Sequence, residues 1–379
     1  MSSIKYKKRI GTMTFHRSLN YGSVLQTYAL QQIIKRINTI GMTEVIDFYP
    51  PAIDKIRSAF IPVHTFKNLV HNVASILYYP LFDKRRKAFD DFLTKNVIIS
   101  ETKYDASSDM SCLEETYDCV IAGSDQIWNN QTQDFSIQYF FPSAVNVKKI
   151  AYAPSIGNGK FELPRDYKIF EALNKFSALS IREVSGAEHL EVFLNNSKSI
   201  PVLLDPTLLL NKKDYQCLEK PRRMRSKYIF LYSVNMDKRT LKIAEEVSKK
   251  LNLPIVTIYT TNASFRTFYY GIKLSGNSGP GDFLSFIHHA ELVISDSFHG
   301  SAFAINYEKK FYSICEKDEK KRDARLDTLL SSLQLKHRML FFDDYNRFNY
   351  MEEINYSPVE VRLKKMKDES LDFLERELR

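Results

Sequence analysis

Runs of β-branched and aromatic residues alternate along the chain with stretches of helical periodicity. Strand-like runs at 9–15 and 44–48 flank a helical pattern at 24–37, and further runs follow at 119–122, 149–153 and 179–182. Within the helical pattern Leu25, Tyr28, Ala29, Ile33 and Ile37 share one face, the spacing of a buried stripe. Alternation of this kind predicts a parallel sheet covered by helices. Residues 52–93 lack strand character and read as helices inserted between strands. A second series opens at Tyr228-Ile229-Phe230-Leu231-Tyr232, continues through 241–251 and 255–259, and reaches Leu292-Val293-Ile294-Ser295. The polar, basic stretch 211–227 separates the two series as a linker. Ser357-Pro358-Val359-Glu360 reads as an N-cap, a first-turn Pro and a capping-box Glu, opening a helix that runs to the end.

The fold class is therefore expected to be α/β, with two doubly wound, Rossmann-like domains facing a cleft. The first covers 1–212 with a helical insertion near 52–93, the second covers 213–350, and a helix at 351–379 packs back on the first. A length of 379 residues fits two domains, since single cores stop growing at roughly 250–300 residues. With 44% hydrophobic and 26% charged residues, the chain buries a real core instead of remaining disordered.

The apolar stretch 70–82 is interrupted by His71, Asn72 and Pro80, well short of the roughly 20 residues that cross a bilayer. The opening residues are too few and too polar for a secretory segment. Four scattered cysteines form no CxxC and no Cys/His cluster, as in reduced thiols, so the cytoplasm is the expected compartment. A net charge of +9 attracts phosphorylated substrates, nucleic acid or an anionic membrane surface. The basic residues are dispersed and no nucleic-acid motif occurs, which argues against nucleic acid. Peripheral association with the inner face of a membrane stays open.

In open parallel sheets ligands bind beyond the carboxyl ends of the strands, so the loops there are the candidate sites. The first loop carries His16, Arg17, Asn20, Tyr21 and Gly22, with Gly22 at a helix start where backbone N–H groups favour an anion. The alternative is a tight turn with a surface His. In Gly123-Ser124-Asp125-Gln126-Ile127-Trp128-Asn129, polar groups beside the only Trp resemble a recognition site for a polyhydroxylated ligand, although Asp125 also suits a helix cap. Ser155 lies in Ala153-Pro154-Ser155-Ile156-Gly157. Arg182, at a strand exit before a Ser185-to-Glu188 capping box, either presents its guanidinium to an anion or forms an ion pair with Glu183 or across domains. The last loop, Ser295-Asp296-Ser297-Phe298-His299-Gly300-Ser301, joins an apolar strand to a helix as an anion nest, where His299 can act as an acid. No P-loop, GxGxxG, HExxH or GxSxG occurs, and no acidic pair has metal-site spacing.

Taken in order, these loops resemble the polysaccharide pyruvyl transferase family. The matching stretches are Thr14-Phe15-His16-Arg17 with Asn20 to Gln26, Gly123 to Asn129, Ser180-Ile181-Arg182-Glu183, Leu204-Asp205-Pro206-Thr207 and Ser295 to Gly300. The resemblance implies a fold similar to the type B glycosyltransferases. It also implies transfer of pyruvate from phosphoenolpyruvate onto two sugar hydroxyls as a ketal, in surface polysaccharide biosynthesis. The partners implied are phosphoenolpyruvate and a glycan or lipid-linked oligosaccharide, with no cofactor and no metal. His299 and Arg182 are the implied catalytic pair, His299 as acid or phosphate partner and Arg182 as anion clamp. Asp125 would face the acceptor, and Ser295, Ser297, Gly300 and Ser301 the donor. One position departs from the family: an Arg two places before the His is replaced by Ser297, which leaves Arg17 or Arg325 as substitute cations, or another donor. A nucleotide-sugar glycosyltransferase and a non-catalytic glycan-binding relative are the alternatives.

Overall fold

The computed structural model describes residues 8–60, 62–260, 265–276, 278–345 and 348–379; the polar opening residues 1–7 lie outside them. The chain divides into two compact units, Met1–Asp54 with Leu93–Leu209 and Leu363–Arg379, and Lys55–Phe92 with Leu210–Arg362.

The first unit is built on β1 (Arg9–Met13), β2 (Met42–Tyr49), β3 (Ile99–Asp105), β4 (Cys119–Ala122) and β5 (Lys148–Ala151), all parallel in the order β3-β2-β1-β4-β5. The unbroken burial of β4 is what a parallel strand covered on both faces requires. The helix Tyr21–Ile37 starts three residues before its predicted bound, because the Asn20 side chain accepts from the N–H groups of Gly22 and Ser23. Residues 179–182 make a single bridge, Ile181 with Val202, in place of a full strand. Trp128 lies in the core, stacked on Phe140 at 5.0 Å, and is not available as a surface platform for a sugar. The end of the helix Tyr356–Leu378 belongs to this unit: Ser370 accepts from the Leu204 N–H, and Lys8 donates to the Leu378 carbonyl.

The second unit holds β6 (Ile229–Tyr232), β7 (Ile255–Ile258), β8 (Lys273–Ser275), β9 (Leu292–Ser295), β10 (Phe311–Cys315) and β11 (Met339–Phe341), parallel in the order β11-β10-β9-β6-β7-β8. The helix Lys238–Leu251 covers it with Leu241, Ala244 and Val247 inward, and Asp237 caps its start. Three expectations change here. The stretch 211–227 is no linker, since Tyr215 is buried edge-on against Phe303 and the Lys220 N–H donates to the Gly281 carbonyl. Residues 55–92 group with this unit and not the first, through the Tyr78 ring stacked on Tyr259 and Leu81 beside Gly276. The C-terminal helix begins at Tyr356, where Asn355 takes the cap role expected of Ser357 by accepting from its N–H.

Because the chain has one Trp and the first unit buries it, its fluorescence reports on that unit. Native emission is expected to be blue-shifted from that of free tryptophan and to red-shift when the first unit unfolds; a native spectrum like free indole would contradict the packing.

Candidate active site

The candidate loops after β1 and β4 in the first unit, and after β9 in the second, leave the sheet where strand order reverses, between β1 and β4 and between β6 and β9, whereas Ser155 follows the edge strand β5. That reversal opens a crevice at the carboxyl edge of a parallel sheet, the place where such folds bind ligands.

In the first unit the two loops are tied by buried polar contacts. The Thr14 hydroxyl donates to the Ser124 carbonyl at 2.9 Å. The Gln26 amide donates to the Thr14 hydroxyl at 2.8 Å, and its oxygen accepts from the Ser124 N–H at 3.3 Å. Tyr21 is fully buried, and Gly22 gives its N–H to Asn20. Ser124 donates to the Ala153 carbonyl, and Ser155 to Glu183. Glu183 sits at the N-cap of the helix Val184–Phe193 without capping it; its carboxylate accepts from Ser155 and from the Ile156 and Gly157 N–H groups. The predicted capping box from Ser185 is therefore replaced by a cross-loop clasp.

At the centre of this cluster is Arg182, with a side chain only 1% exposed. Its guanidinium donates to Asp205 and reaches Asp125 at 3.4 Å. Asp205 also accepts from the N–H and hydroxyl of Thr207, and Asp125 accepts from the Ser23 hydroxyl at 2.5 Å. The ion pair thus forms with Asp125 and Asp205, neither of them the Glu183 partner considered from sequence. Nothing local in the sequence marks either carboxylate as its partner, although Asp205-Pro206 is a recognisable cap-and-first-turn signal. Asp125 has φ +73°, a left-handed conformation uncommon for a residue with a side chain, held by this cross-bonding.

His16 is buried and faces Asp47 at 3.0 Å, while Arg17 makes a bidentate pair with the same carboxylate at 2.8 and 2.7 Å. Burial raises the Asp47 carboxyl, but the hydrogen bonds from His16 and Arg17 outweigh it and hold it below its ordinary range. The Arg17 guanidinium lies 4.9 Å from the Tyr49 ring centroid. Tyr49, Lys103, Asp105 and Ser107 line an open groove of about 600 Å³ at the carboxyl ends of β2 and β3.

In the second unit, Ser295 ends β9 and donates to the Tyr232 carbonyl of β6 while accepting from the Ser297 N–H. Asp296 accepts from the Ser233 hydroxyl at 2.5 Å and the Val234 N–H at 3.1 Å. Burial pushes its carboxyl above the ordinary range, against those two hydrogen bonds. Ser297 occupies the N-cap of the helix Phe298–Asn306, but its side chain makes no cap hydrogen bond. His299 is 4% exposed in the first turn. Gly300 is required by packing, since a Cβ there would stand 2.1 Å from the Ser295 hydroxyl. Ser301, on the same helix, shares a hydrogen bond with Ser313 of β10. Arg325, paired with Asp323, lies 5.6 Å from the Phe298 ring centroid, which brings a guanidinium to this turn.

The family model described as polysaccharide pyruvyl transferase matches residues 20–314, most of the chain. A search of curated protein sequences finds no match. Among solved structures, a putative UDP-N-acetylglucosamine 2-epimerase from Listeria monocytogenes has a TM-score of 0.53 at 10% identity, covering 96% of this chain and 90% of that one. The UDP-GlcNAc 2-epimerase from Neisseria meningitidis has a TM-score of 0.50 at 11% identity, covering 98% and 99%. The two-sheet α/β fold is that of the type B glycosyltransferases and these epimerases. Among the described residues, no helix is long and apolar enough to cross a membrane.

Replacing Asp205→Ala leaves the buried Arg182 short of a carboxylate and should destabilise the chain by about 3–5 kcal/mol in denaturant unfolding; a loss below about 1 kcal/mol would contradict the ionic centre. Asp296 has the opposite sign. A carboxyl raised in the folded state weakens the fold as pH climbs from its unfolded range to its folded one. Asp296→Asn is therefore expected to keep or raise the melting temperature at pH 8, with the gap closing below about pH 4. A drop of several degrees at pH 8 would show that the carboxylate is stabilising.

Proposed function

The chain belongs to the polysaccharide pyruvyl transferase family, a family of transferases, and on that premise we propose that it builds a cyclic pyruvyl ketal on a sugar of a surface polysaccharide, with phosphoenolpyruvate as donor. The observation that carries this reading is one strand-to-helix turn of the second unit. It combines His299, a carboxyl raised by burial at Asp296, and the guanidinium of Arg325 beside Phe298.

Proton transfer to the methylene carbon of phosphoenolpyruvate leaves its neighbouring carbon cationic. A sugar hydroxyl adds there and gives up its proton. Phosphate then departs with the carbon–oxygen bonding pair, and a second hydroxyl adds to the renewed cation, losing its own proton. The products are ketal and phosphate, with no change of oxidation state and hence no call for a redox cofactor. His299 supplies the first proton. The first-turn N–H groups of the helix Phe298–Asn306 and Arg325 hold the donor's anionic groups. Arg325 thereby takes the charge that Ser297 lacks.

Arg182 acts through Asp125. Its buried guanidinium fixes that carboxylate, so Arg182 is a positioning residue more than an anion clamp. The acceptor is a glycan or lipid-linked oligosaccharide. The enzyme works in the cytoplasm, at the inner face of the membrane where such acceptors are presented.

Incubation with phosphoenolpyruvate and a panel of glycans is expected to release inorganic phosphate and add a pyruvyl mass to one glycan. His299→Ala should lower that rate at least 100-fold, and Arg325→Ala should raise the KM for phosphoenolpyruvate more than it lowers kcat. If a nucleoside diphosphate raises the melting temperature while phosphoenolpyruvate does not, the chain is a nucleotide-sugar glycosyltransferase. If neither shifts it and both variants leave the cellular glycan unchanged, it is a non-catalytic glycan binder.

A further inference from the structure

The helix Phe66–Asn96 has an apolar side with nothing packed on it among the described residues. Leu69, Val73, Ile76 and Leu77 are 46%, 61%, 65% and 66% exposed. At 100° per residue these positions fall within an arc of about 100°, a single stripe. The stripe widens at its end, where the exposed Tyr79 ring stacks on the exposed Phe60 at 5.9 Å. The opposite side is already occupied: Tyr78 stacks on Tyr259, Leu81 lies beside Gly276, and Phe82 and Phe89 are buried. The helix is therefore docked by one face, and its second apolar face is left in water. A contiguous exposed patch of this kind marks an interaction surface in a soluble protein.

The charges around the stripe identify its occupant. From Lys55 to Phe82 the sequence contains lysine, arginine and histidine but no Asp or Glu. Basic residues follow at Lys84 to Lys87, where Asp83 pairs with Arg86 and Lys87. A second copy of this chain would bring two such cationic segments together and repel. A bilayer with anionic headgroups attracts them and takes aliphatic and aromatic side chains into its interface. The connection between β7 and β8, at the edge where this helix docks, adds Phe268 and Tyr269, exposed at 87% and 82%.

We propose that this face of the second unit docks on an anionic lipid bilayer, with the stripe of the helix Phe66–Asn96 entering the headgroup boundary. This supplies the physical basis for the membrane location within the proposed function, but binding does not depend on the reaction performed. A lipid-linked acceptor would then be collected by a protein held at the surface in which that acceptor is anchored.

The test is co-sedimentation of the whole chain with vesicles of phosphatidylcholine alone and of phosphatidylcholine with phosphatidylglycerol. Wild type is expected to pellet with the anionic vesicles, less with the neutral ones, and less as salt is raised. The double substitution Ile76→Asp and Leu77→Asp should weaken anionic binding at least tenfold with an unchanged circular dichroism spectrum. Phe268→Asp should weaken it less, and Val192→Asp, on an exposed position of the first unit, should leave it as in wild type. Equal pelleting of wild type and the double variant overturns the proposal, as does failure of wild type to bind anionic vesicles. A dimer in light scattering that the double variant abolishes, with no vesicle binding, would assign the face to a second copy. None of these readouts uses phosphoenolpyruvate, so a chain that binds vesicles but lacks pyruvyl transfer would lose only the reaction.

Discussion

The candidate loops of the first unit are held together around the buried cation of Arg182. Arg182 carries a charge that cannot be left bare in an interior, and Asp205 and Asp125 supply its counter-charges. Each carboxylate is committed elsewhere as well: Asp205 holds Thr207 at the start of a helical turn, and Asp125 is held by Ser23 at the start of the first helix. Desolvating one guanidinium thus fixes three segments against one another. The backbone of Asp125 pays for this with a left-handed conformation.

The two units solve the same problem with different chemistry. In the first, a charged network is sealed among carboxylates, a glutamine and hydroxyls. In the second, the crevice between β6 and β9 is bridged by Asp296 with Ser233 and Val234, and burial keeps that carboxyl toward its protonated form. A turn holding a carboxyl raised by burial, an imidazole and a nearby guanidinium suits a reaction that begins with protonation and expels an anionic leaving group.

Much of this was legible in the sequence because the loops that matter follow runs that are apolar throughout. Cys119 to Ala122 and Leu292 to Ser295 announce buried parallel strands, and the polar residues after them stand at the carboxyl edge. Partners distant in sequence were not legible. Nothing local pairs Arg182 with Asp205 or His16 with Asp47, and the roles of these side chains follow from those pairings. Trp128 misled for the opposite reason: its polar neighbours suggested a surface, but the large ring is core. Short edge strands such as β8 and β11, three residues each, are too brief for a period to register. The grouping of 55–92 with the second unit rests on ring and methyl contacts that no pattern encodes.

The most direct test of the account is a crystal structure of the chain grown with phosphoenolpyruvate. The account predicts the phosphate at the first turn of the helix Phe298–Asn306, with the Arg325 guanidinium within hydrogen-bond distance and the methylene carbon facing His299. Phosphoenolpyruvate bound elsewhere, with that turn unchanged, would contradict it.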